Sequence, residues 1–317
     1  KINMDLISVI VPVYNAENWL RDALASLQAQ SYPEFEAILV NDGSTDRSAE
    51  ICREYCDLDP RFSLVAQPNA GLSAARNAGI DRAGGDWIVF LDADDAMPPD
   101  ALEVMMRHAK ESGAGIVTGR YVREIPATMP KGYGKSMTVP ADTAIAIGLY
   151  QTLILNSACG KLFSASIFNG SAPLRFRRCW YEDLDLFYRA FERTDKVCIL
   201  DRTVYFYRDN PCSFINTWSD ARLDVLDVTD RIVRHMVDRT PQLYRAALDR
   251  RFSAHFNILV EMMRHGIDNQ EQINRCLDVI KQQRFNELTD GKVRIKNKIG
   301  ALVSYMGMPA IKLLCRF

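Results

Sequence analysis

The chain has 317 residues, 48% of them hydrophobic, which suits one large α/β domain with a smaller addition and excludes an intrinsically disordered protein. Its 39 lysines and arginines nearly balance its 40 aspartates and glutamates, so the overall charge predicts no nucleic acid partner. The eight cysteines form no C-x-x-C pair, and no basic stretch with a cleavage site precedes the first apolar run. Free thiols and a cytoplasmic location are therefore expected.

The first half of the chain alternates short β-rich runs with helical patterns, which is typical of βαβ units on a mostly parallel sheet. Apolar runs such as Ile7–Val13 indicate strands buried on both faces. The predicted strands are 7–13, 35–41, 62–66, 87–91 and 116–119. The predicted flanking helices include 47–55, 72–83 and 99–112.

The second half is less regular. Residues 121–140 predict an irregular loop or hairpin, and the chain from residue 218 to its end predicts helices. Further helices are expected at 141–156 and 181–193, short strands at 197–200 and 204–207, and helix breaks near Thr240, Gly266 and Gly291. The predicted organisation is a first domain at 1–217, with halves at 1–120 and 121–217, and a helical region at 218–317.

Polar clusters follow four of the predicted strands at the point where each strand ends. They occupy residues 12–15, 41–46, 67–71 and 92–95. Because ligands of open α/β sheets bind beyond the carboxyl ends of the strands, these four loops predict one shared site.

The cluster 92–95 carries three carboxylates directly after an apolar strand. In an extended chain Asp92 and Asp94 point to the same side, and two carboxylates completed by diphosphate oxygens suit Mg²⁺ or Mn²⁺. The alternative is that these aspartates only cap the helix that begins near Pro99.

The loops after the second and third strands predict contacts to a nucleotide. Asp42 at a strand end could accept the ring N–H of uracil or thymine. Gly71 precedes a helix of small residues in which Arg76 could clamp a phosphate with its planar guanidinium. The alternatives are a simple turn and cap at 43–46 and close helix packing in 74–78.

The segments SVIVPVYNAENWL, LVNDGSTDRS, NAGLSAARNAGI and GGDWIVFLDADD occur in this order in the first 120 residues. With this spacing the chain resembles the inverting glycosyltransferases of family 2, which have the GT-A fold. The resemblance returns at CGKLF near Lys161 and at YEDLDLFYRA near Asp183. It implies an α/β protein with a mostly parallel central sheet, flanking helices and a C-terminal helical region. The domain at 1–217 would then be the catalytic domain, with a nucleotide-binding half at 1–120 and an acceptor-side half at 121–217. It also implies a UDP- or dTDP-sugar donor and a divalent metal.

The resemblance also implies roles for individual residues. Asp42 would bind the base, Asp92 would approach the ribose or the metal, and Asp94 would be the main metal ligand. Asp183, beside Glu182, would be the catalytic base. The remaining expected contacts to the nucleotide-sugar are Pro12, Val13, Tyr14, Asn15, Gly71, Arg76, Ala93 and Arg208.

An inverting transfer is a single displacement, so one base must take the proton of the acceptor hydroxyl. Asp183 at a predicted helix start suits this role, although Glu182 and Asp183 could instead only favour the helix dipole. Lys161 lies either near the acceptor or on the solvated surface. The competing function is a catalytically inactive nucleotide-sugar-binding protein, which could dispense with Asp183. The acceptor is expected to be a glycan or a lipid-linked oligosaccharide.

The segment 291–317 interleaves basic and apolar residues and contains no aspartate or glutamate. Such a stretch either lies on an anionic membrane surface, at the inner face of the cytoplasmic membrane, or packs as a terminal helix with a solvated basic face.

Overall fold

The computed structural model of the protein describes residues 4–123, 132–209 and 218–314. The chain forms two compact units, and the second takes in two segments from the region that the sequence assigns to the catalytic domain. The first unit comprises 1–144, 157–178 and 186–210, and the second comprises 145–156, 179–185 and 211–317.

The first unit is built on an eight-stranded sheet with the order β3-β2-β1-β4-β7-β5-β8-β6. All its strands run in one direction except β6 and β7, which are antiparallel to their neighbours, so the sheet is mostly parallel as predicted. The strands are β1 (Ile7–Val13), β2 (Phe35–Asp42), β3 (Phe62–Gln67), β4 (Trp87–Phe90), β5 (Ile116–Val122), β6 (Lys135–Pro140), β7 (Lys161–Ser164) and β8 (Lys196–Phe206).

Helices flank this sheet, and their apolar residues recur at helical spacing. Helix α3 packs closely on β1, since a Cβ atom at Gly79 would lie 2.3 Å from the Ile10 side chain. Helices α5 and α6 belong in part to each unit. The helices in this part of the chain are α1 (Leu20–Gln28), α2 (Ser48–Leu58), α3 (Leu72–Arg82), α4 (Ala101–Ser112), α5 (Ala141–Leu149) and α6 (Glu182–Phe191).

Strand β8 is continuous, whereas the sequence predicted two short strands separated by Asp201–Thr203. The pairing of β8 with β5 shifts register at this point, but the polar segment stays in the strand, with Arg202 buried and its guanidinium donating to Asp100 at 2.6 Å. The region 121–140 also contains β6, an exposed edge strand that pairs with β8 and carries no apolar alternation. Residues 124–131 of that region lie outside the described residues. Helix α5 ends at Leu149 instead of continuing to residue 156.

The second unit is mainly helical, as the sequence predicts. Its breaks fall where expected: the Thr240 side chain caps α8, Gly266 follows that helix with a φ of 65°, and Gly291 follows α9. No helix in the described parts of the chain is long and apolar enough to cross a membrane. The helices of the second unit are α7 (Asp224–Met236), α8 (Pro241–Arg264), α9 (Gln270–Thr289), α10 (Ile295–Ser304) and α11 (Met308–Leu314).

Two buried carboxyl groups lie in the core of the second unit. Asp249 and Glu287 are 1% and 2% exposed, and Asp249 accepts a 2.7 Å hydrogen bond from Asn297. Burial, followed by the hydrogen bond and charge of Asp249, raises the pKa of Glu287 to about 10. Glu287 therefore holds a proton in the folded protein at neutral pH.

This proton makes the stability of the second unit depend on pH. Between the unfolded pKa of about 4.5 and the folded pKa, only the folded state binds the proton, so the free energy of unfolding falls as pH rises. We expect Glu287→Gln to flatten this decline when urea unfolding is measured from acidic to alkaline pH. Glu271→Gln, at an exposed position of the same helix, serves as the control. If the free energy of unfolding falls equally steeply with pH in Glu287→Gln and in the parent chain, Glu287 does not hold this proton.

Candidate active site

The loops after β1 and β2 are joined by hydrogen bonds through Asn15. Its side-chain oxygen accepts from the Thr45 backbone N–H at 2.8 Å, and its own N–H donates to Ser44 Oγ at 3.1 Å. Asn15 has a φ of 47°, a conformation that asparagine tolerates better than most residues. Pro12 and Val13 are buried in β1, whereas Tyr14 is 51% exposed. Tyr14 is therefore the member of this group that presents a large exposed surface to a ligand.

Asp42 at the end of β2 holds the loop that follows β3. Its carboxylate accepts from the Gln67 side chain at 2.7 Å and from the backbone N–H groups of Ala70 and Gly71 at 2.9 and 2.8 Å. Gly71 has a φ of 89° and precedes the first residue of α3. A carboxylate has about four acceptor positions, so these three bonds from described residues leave about one position on Asp42 for another donor.

Gly43 allows the loops after β2 and β3 to pack closely. It has a φ of 72°, and a Cβ atom there would lie 2.7 Å from the Asn69 backbone nitrogen. Glycine is therefore needed at position 43 both because φ is positive and because there is no room for a Cβ atom.

We expect Gly43→Ala to lower the free energy of unfolding of the first unit by about 2 kcal/mol, because it combines strain with a backbone clash. The matched control is Gly132→Ala, where φ is 79° but no atom lies within 4 Å of the added Cβ. Urea denaturation of both variants makes the comparison. Equal losses would mean that the backbone angle alone accounts for the effect.

Residues Asp92–Asp95 form a tight turn closed by the Asp95 N–H donating to the Asp92 carbonyl at 3.1 Å. The expectation of an extended chain here was wrong, because β4 ends at Phe90 and the backbone turns immediately afterwards. Asp92 and Asp94 are half-buried, whereas Ala93 and Asp95 are buried. The turn thus leaves the two aspartates assigned to the metal partly accessible, and Ala93 contributes no large exposed surface.

Arg76 is paired with Asp92. Its guanidinium donates to Asp92 Oδ1 at 2.9 Å and lies 5.3 Å from the centre of the Phe176 ring. The Arg76 side chain is 1% exposed, and that of Asp92 is 30% exposed. A buried cation beside a partly exposed carboxylate fixes the orientation of that carboxylate. The structure thus gives Arg76 a contact to Asp92, and its contact to phosphate stays a prediction.

Asp95 and Tyr205 hold the turn through hydrogen bonds, and neither residue was assigned an individual role from the sequence. The Asp92 N–H donates to the Tyr205 hydroxyl at 3.1 Å, and this hydroxyl donates to Asp95 Oδ2 at 2.6 Å. Burial, followed by the charge of Asp92, raises the pKa of Asp95 to about 7. Tyr205 is 110 residues from Asp95 in the chain, so no local pattern indicates the pair.

Arg208 connects the Asp92–Asp95 turn to α1 by hydrogen bonds. Its backbone N–H donates to Asp95 and its Nε to the Asp94 carbonyl, at 2.8 and 3.0 Å. The guanidinium also donates to Asp22 at 2.8 Å and lies 4.8 Å from the Trp19 ring centre. Arg208 therefore restrains the carboxylate turn directly, while its expected contact to diphosphate stays a prediction.

Lys161 is a buried residue of β7. It is 2% exposed, and its ammonium group donates to the Ser157 carbonyl at 2.6 Å. The alternative of a solvated surface lysine was wrong, because β7 is an interior strand between β4 and β5.

Glu182 and Asp183 begin α6 and belong to the second unit. Both are half-buried, whereas Asp185 in the same turn is fully buried and accepts from Arg231 at 3.0 Å. Tyr181 before them has a φ of 62°, a strained conformation for a bulky residue. Such strain is concentrated at functional sites. Glu182 and Asp183 are the partly exposed acids of this turn, whereas Asp185 is fully buried.

The carboxylates of the Asp92–Asp95 turn suit a metal ion that is bound by the protein and a substrate together. Within residues 4–123, 132–209 and 218–314, no cluster of three or more histidine, cysteine or carboxylate side chains could hold a metal ion. Asp92 and Asp94 offer two carboxylates, and Mg²⁺ typically takes one or two of these together with substrate phosphates and water. The residues present therefore fit an ion that binds with a diphosphate.

Three comparisons with known proteins agree on the kind of protein. The model of glycosyl transferase family 2 matches residues 8–170, just over half of the chain. The chain is 36% identical to the glycosyltransferase GlyA of Streptococcus pneumoniae over 235 residues, which are 70% of this chain and 33% of GlyA. It is 32% identical to EpsH of Bacillus subtilis over 218 residues, which are 67% of this chain and 63% of EpsH. The chain thus spans less than two thirds of either relative.

Solved structures share the fold at low sequence identity. The S. aureus TarS 1-349 complex with UDP-GlcNAc superimposes with a TM-score of 0.71 at 20% identity, covering 99% of this chain and 91% of that one. The mannosyltransferase PcManGT from Pyrobaculum calidifontis, in complex with GDP-Man and Mn²⁺, gives 0.60 at 14% identity, covering 99% and 87%. Together with the family match and the mostly parallel sheet, these results show that the chain belongs to glycosyl transferase family 2 and has the GT-A fold.

Proposed function

We propose that this protein transfers a sugar from a UDP- or dTDP-linked donor to a hydroxyl group of a glycan or a lipid-linked oligosaccharide, with inversion at the anomeric carbon. The observation that carries the proposal is the arrangement at the carboxyl edge of the sheet. Asp42 keeps about one acceptor position, and the turn that follows β4 presents the partly accessible carboxylates of Asp92 and Asp94.

The acceptor positions of Asp42 support a pyrimidine donor. Uracil and thymine present a single ring N–H, which one remaining acceptor position can satisfy. Guanine presents two adjacent N–H donors on one edge, which would compete with the hydrogen bonds from Gln67, Ala70 and Gly71. We therefore assign Asp42 to base recognition, with exposed Tyr14 beside the nucleoside.

Asp94 and Asp92 are proposed to hold Mn²⁺ or Mg²⁺ together with the donor diphosphate. When bound, the ion supplies positive charge that neutralises the leaving nucleotide. Arg76 keeps the Asp92 carboxylate oriented, and Arg208 restrains the turn that carries Asp94. These contacts lie within the protein and hold the carboxylates in place, so little reorganisation is needed when charge develops on the diphosphate.

Asp183 is proposed to take the proton of the acceptor hydroxyl, with Glu182 beside it. The displacement forms one bond from the acceptor oxygen to the anomeric carbon and breaks the bond from that carbon to the diphosphate. No covalent enzyme intermediate is needed. A nucleotide-sugar-binding protein without activity is the competing function, and it would not require an accessible acid at the start of α6.

The test is donor hydrolysis by the purified chain with Mn²⁺ and a panel of UDP-, dTDP- and GDP-sugars, followed as release of nucleotide. We expect metal-dependent release from one pyrimidine-linked sugar. Binding of a nucleotide-sugar without release, with or without candidate acceptors, would favour the inactive binding protein. Binding of none of them would contradict the proposal.

A further inference from the structure

Helix α10 in the second unit exposes its large apolar side chains and buries its small and polar ones. Its buried residues are Asn297, Gly300, Ala301 and Ser304. Ile295, Ile299 and Leu302 on the same helix are 76%, 50% and 59% exposed, and Met306 just after it is 73% exposed. This distribution is the reverse of that of an ordinary surface helix, whose apolar stripe faces the core.

The orientation of α10 is fixed by its inward face. The Asn297 amide donates at 2.7 Å to the buried Asp249, and a Cβ atom at Gly300 would lie 3.1 Å from the Phe256 ring. The Arg284 guanidinium donates to the Ser304 carbonyl at 3.1 Å. Turning α10 to bury its isoleucines would break the bond to a buried carboxyl group, which is costly, so the apolar face stays outward.

The exposed apolar residues form one continuous strip, which we call the α10 stripe: Ile295, Ile299, Leu302 and Met306. Their spacing of four, three and four residues places them on one side of a helix. Lys296 and Lys298 fall on either side of the stripe. The whole segment 291–317 contains six lysines and arginines and no acidic residue: Lys292, Arg294, Lys296, Lys298, Lys312 and Arg316.

We propose that the α10 stripe docks the protein on an anionic membrane surface, with the apolar side chains at the boundary between headgroups and acyl chains and the lysines on the lipid phosphates. The apolar stripe suits the acyl chains of such a surface, and the lysines on both sides of it suit the negatively charged headgroups. A second copy of the chain fits less well, because a symmetric pairing of two stripes would bring Lys296 and Lys298 of both copies together. The proposal rests on the geometry of α10 and not on the transfer reaction.

The test is flotation of the full chain with vesicles of phosphatidylcholine alone or with about one third phosphatidylglycerol. We expect binding to the anionic vesicles only, weakened by salt. Ile299→Ser/Leu302→Ser should lower the bound fraction at least about tenfold, and Lys296→Gln/Lys298→Gln about tenfold. Leu58→Ser, which changes a leucine that is 73% exposed on α2, should have no effect. These substitutions keep the bond from Asn297 to Asp249, which truncation after Asp290 would remove.

Two further measurements keep the result interpretable. Thermal unfolding of the variants should be close to that of the parent chain, because the altered side chains are exposed or, at Lys298, half-buried. Donor hydrolysis in vesicle-free solution should be unchanged by Ile299→Ser/Leu302→Ser, so loss of membrane binding and loss of activity are separable. Equal flotation of this variant and the parent chain would overturn the proposal, and so would no flotation at all. A concentration-dependent dimer that this variant abolishes, without flotation, would assign the stripe to a second copy instead.

Discussion

Asp94→Asn is expected to reduce metal-dependent nucleotide release by about 10³-fold, because it removes one of the two accessible carboxylates of the turn while keeping the shape of the side chain. Several of the contacts that hold the turn do not use the Asp94 carboxylate. Arg208 binds the Asp94 backbone carbonyl, and Asp95 accepts from Tyr205. The substitution should therefore impair metal binding without unfolding the turn.

The measurement is nucleotide release as a function of Mn²⁺ concentration, together with calorimetric titration of UDP with and without the metal. Asp57→Asn is the matched control, since Asp57 is an exposed carboxylate on α2. UDP should still bind Asp94→Asn, but with little dependence on the metal. Unchanged metal dependence of release would exclude Asp94 as a ligand.

Asp183→Asn is expected to lower kcat by about 10²- to 10⁴-fold, which is the usual contribution of a general base. The donor should bind with nearly unchanged affinity, because a general base acts on the acceptor hydroxyl in the transition state and asparagine keeps the size of the side chain. A large fall in kcat with intact nucleotide binding is the signature of a residue that acts on the acceptor side of the reaction.

Single-turnover transfer or hydrolysis, measured beside UDP affinity and thermal unfolding, checks this expectation. Asp195→Asn, at an exposed position shortly after α6, controls for the loss of one surface charge. Asp185→Asn provides a contrast, since it leaves Arg231 beside a neutral group in a fully buried position and should lower stability first. If Asp183→Asn keeps full activity, the base must be another residue, and Glu182→Gln becomes the next variant.

The sequence by itself determined the features that depend on local chemistry. Apolar runs specified the parallel strands β1 to β4, and the polar residues that follow them had to lie at one edge of the sheet. Gly43 and Gly71 marked backbone positions with positive φ. The motifs around Asp42, Asp92 and Asp183 were enough to indicate the family, which the comparison then confirmed.

Only the tertiary structure decided how those residues are held. The sequence predicts a break between strands at Asp201–Thr203, but β8 continues there, with Arg202 buried and donating to Asp100, which is 102 residues away. Tyr205 reaches Asp95 across 110 residues. The amphipathic pattern of α10 was visible in the sequence, but which face is buried depended on Asn297 and its partner Asp249 on another helix. Local patterns record backbone preference and hydrophobicity, whereas these outcomes depend on partners that are distant in the chain and cannot be read from it.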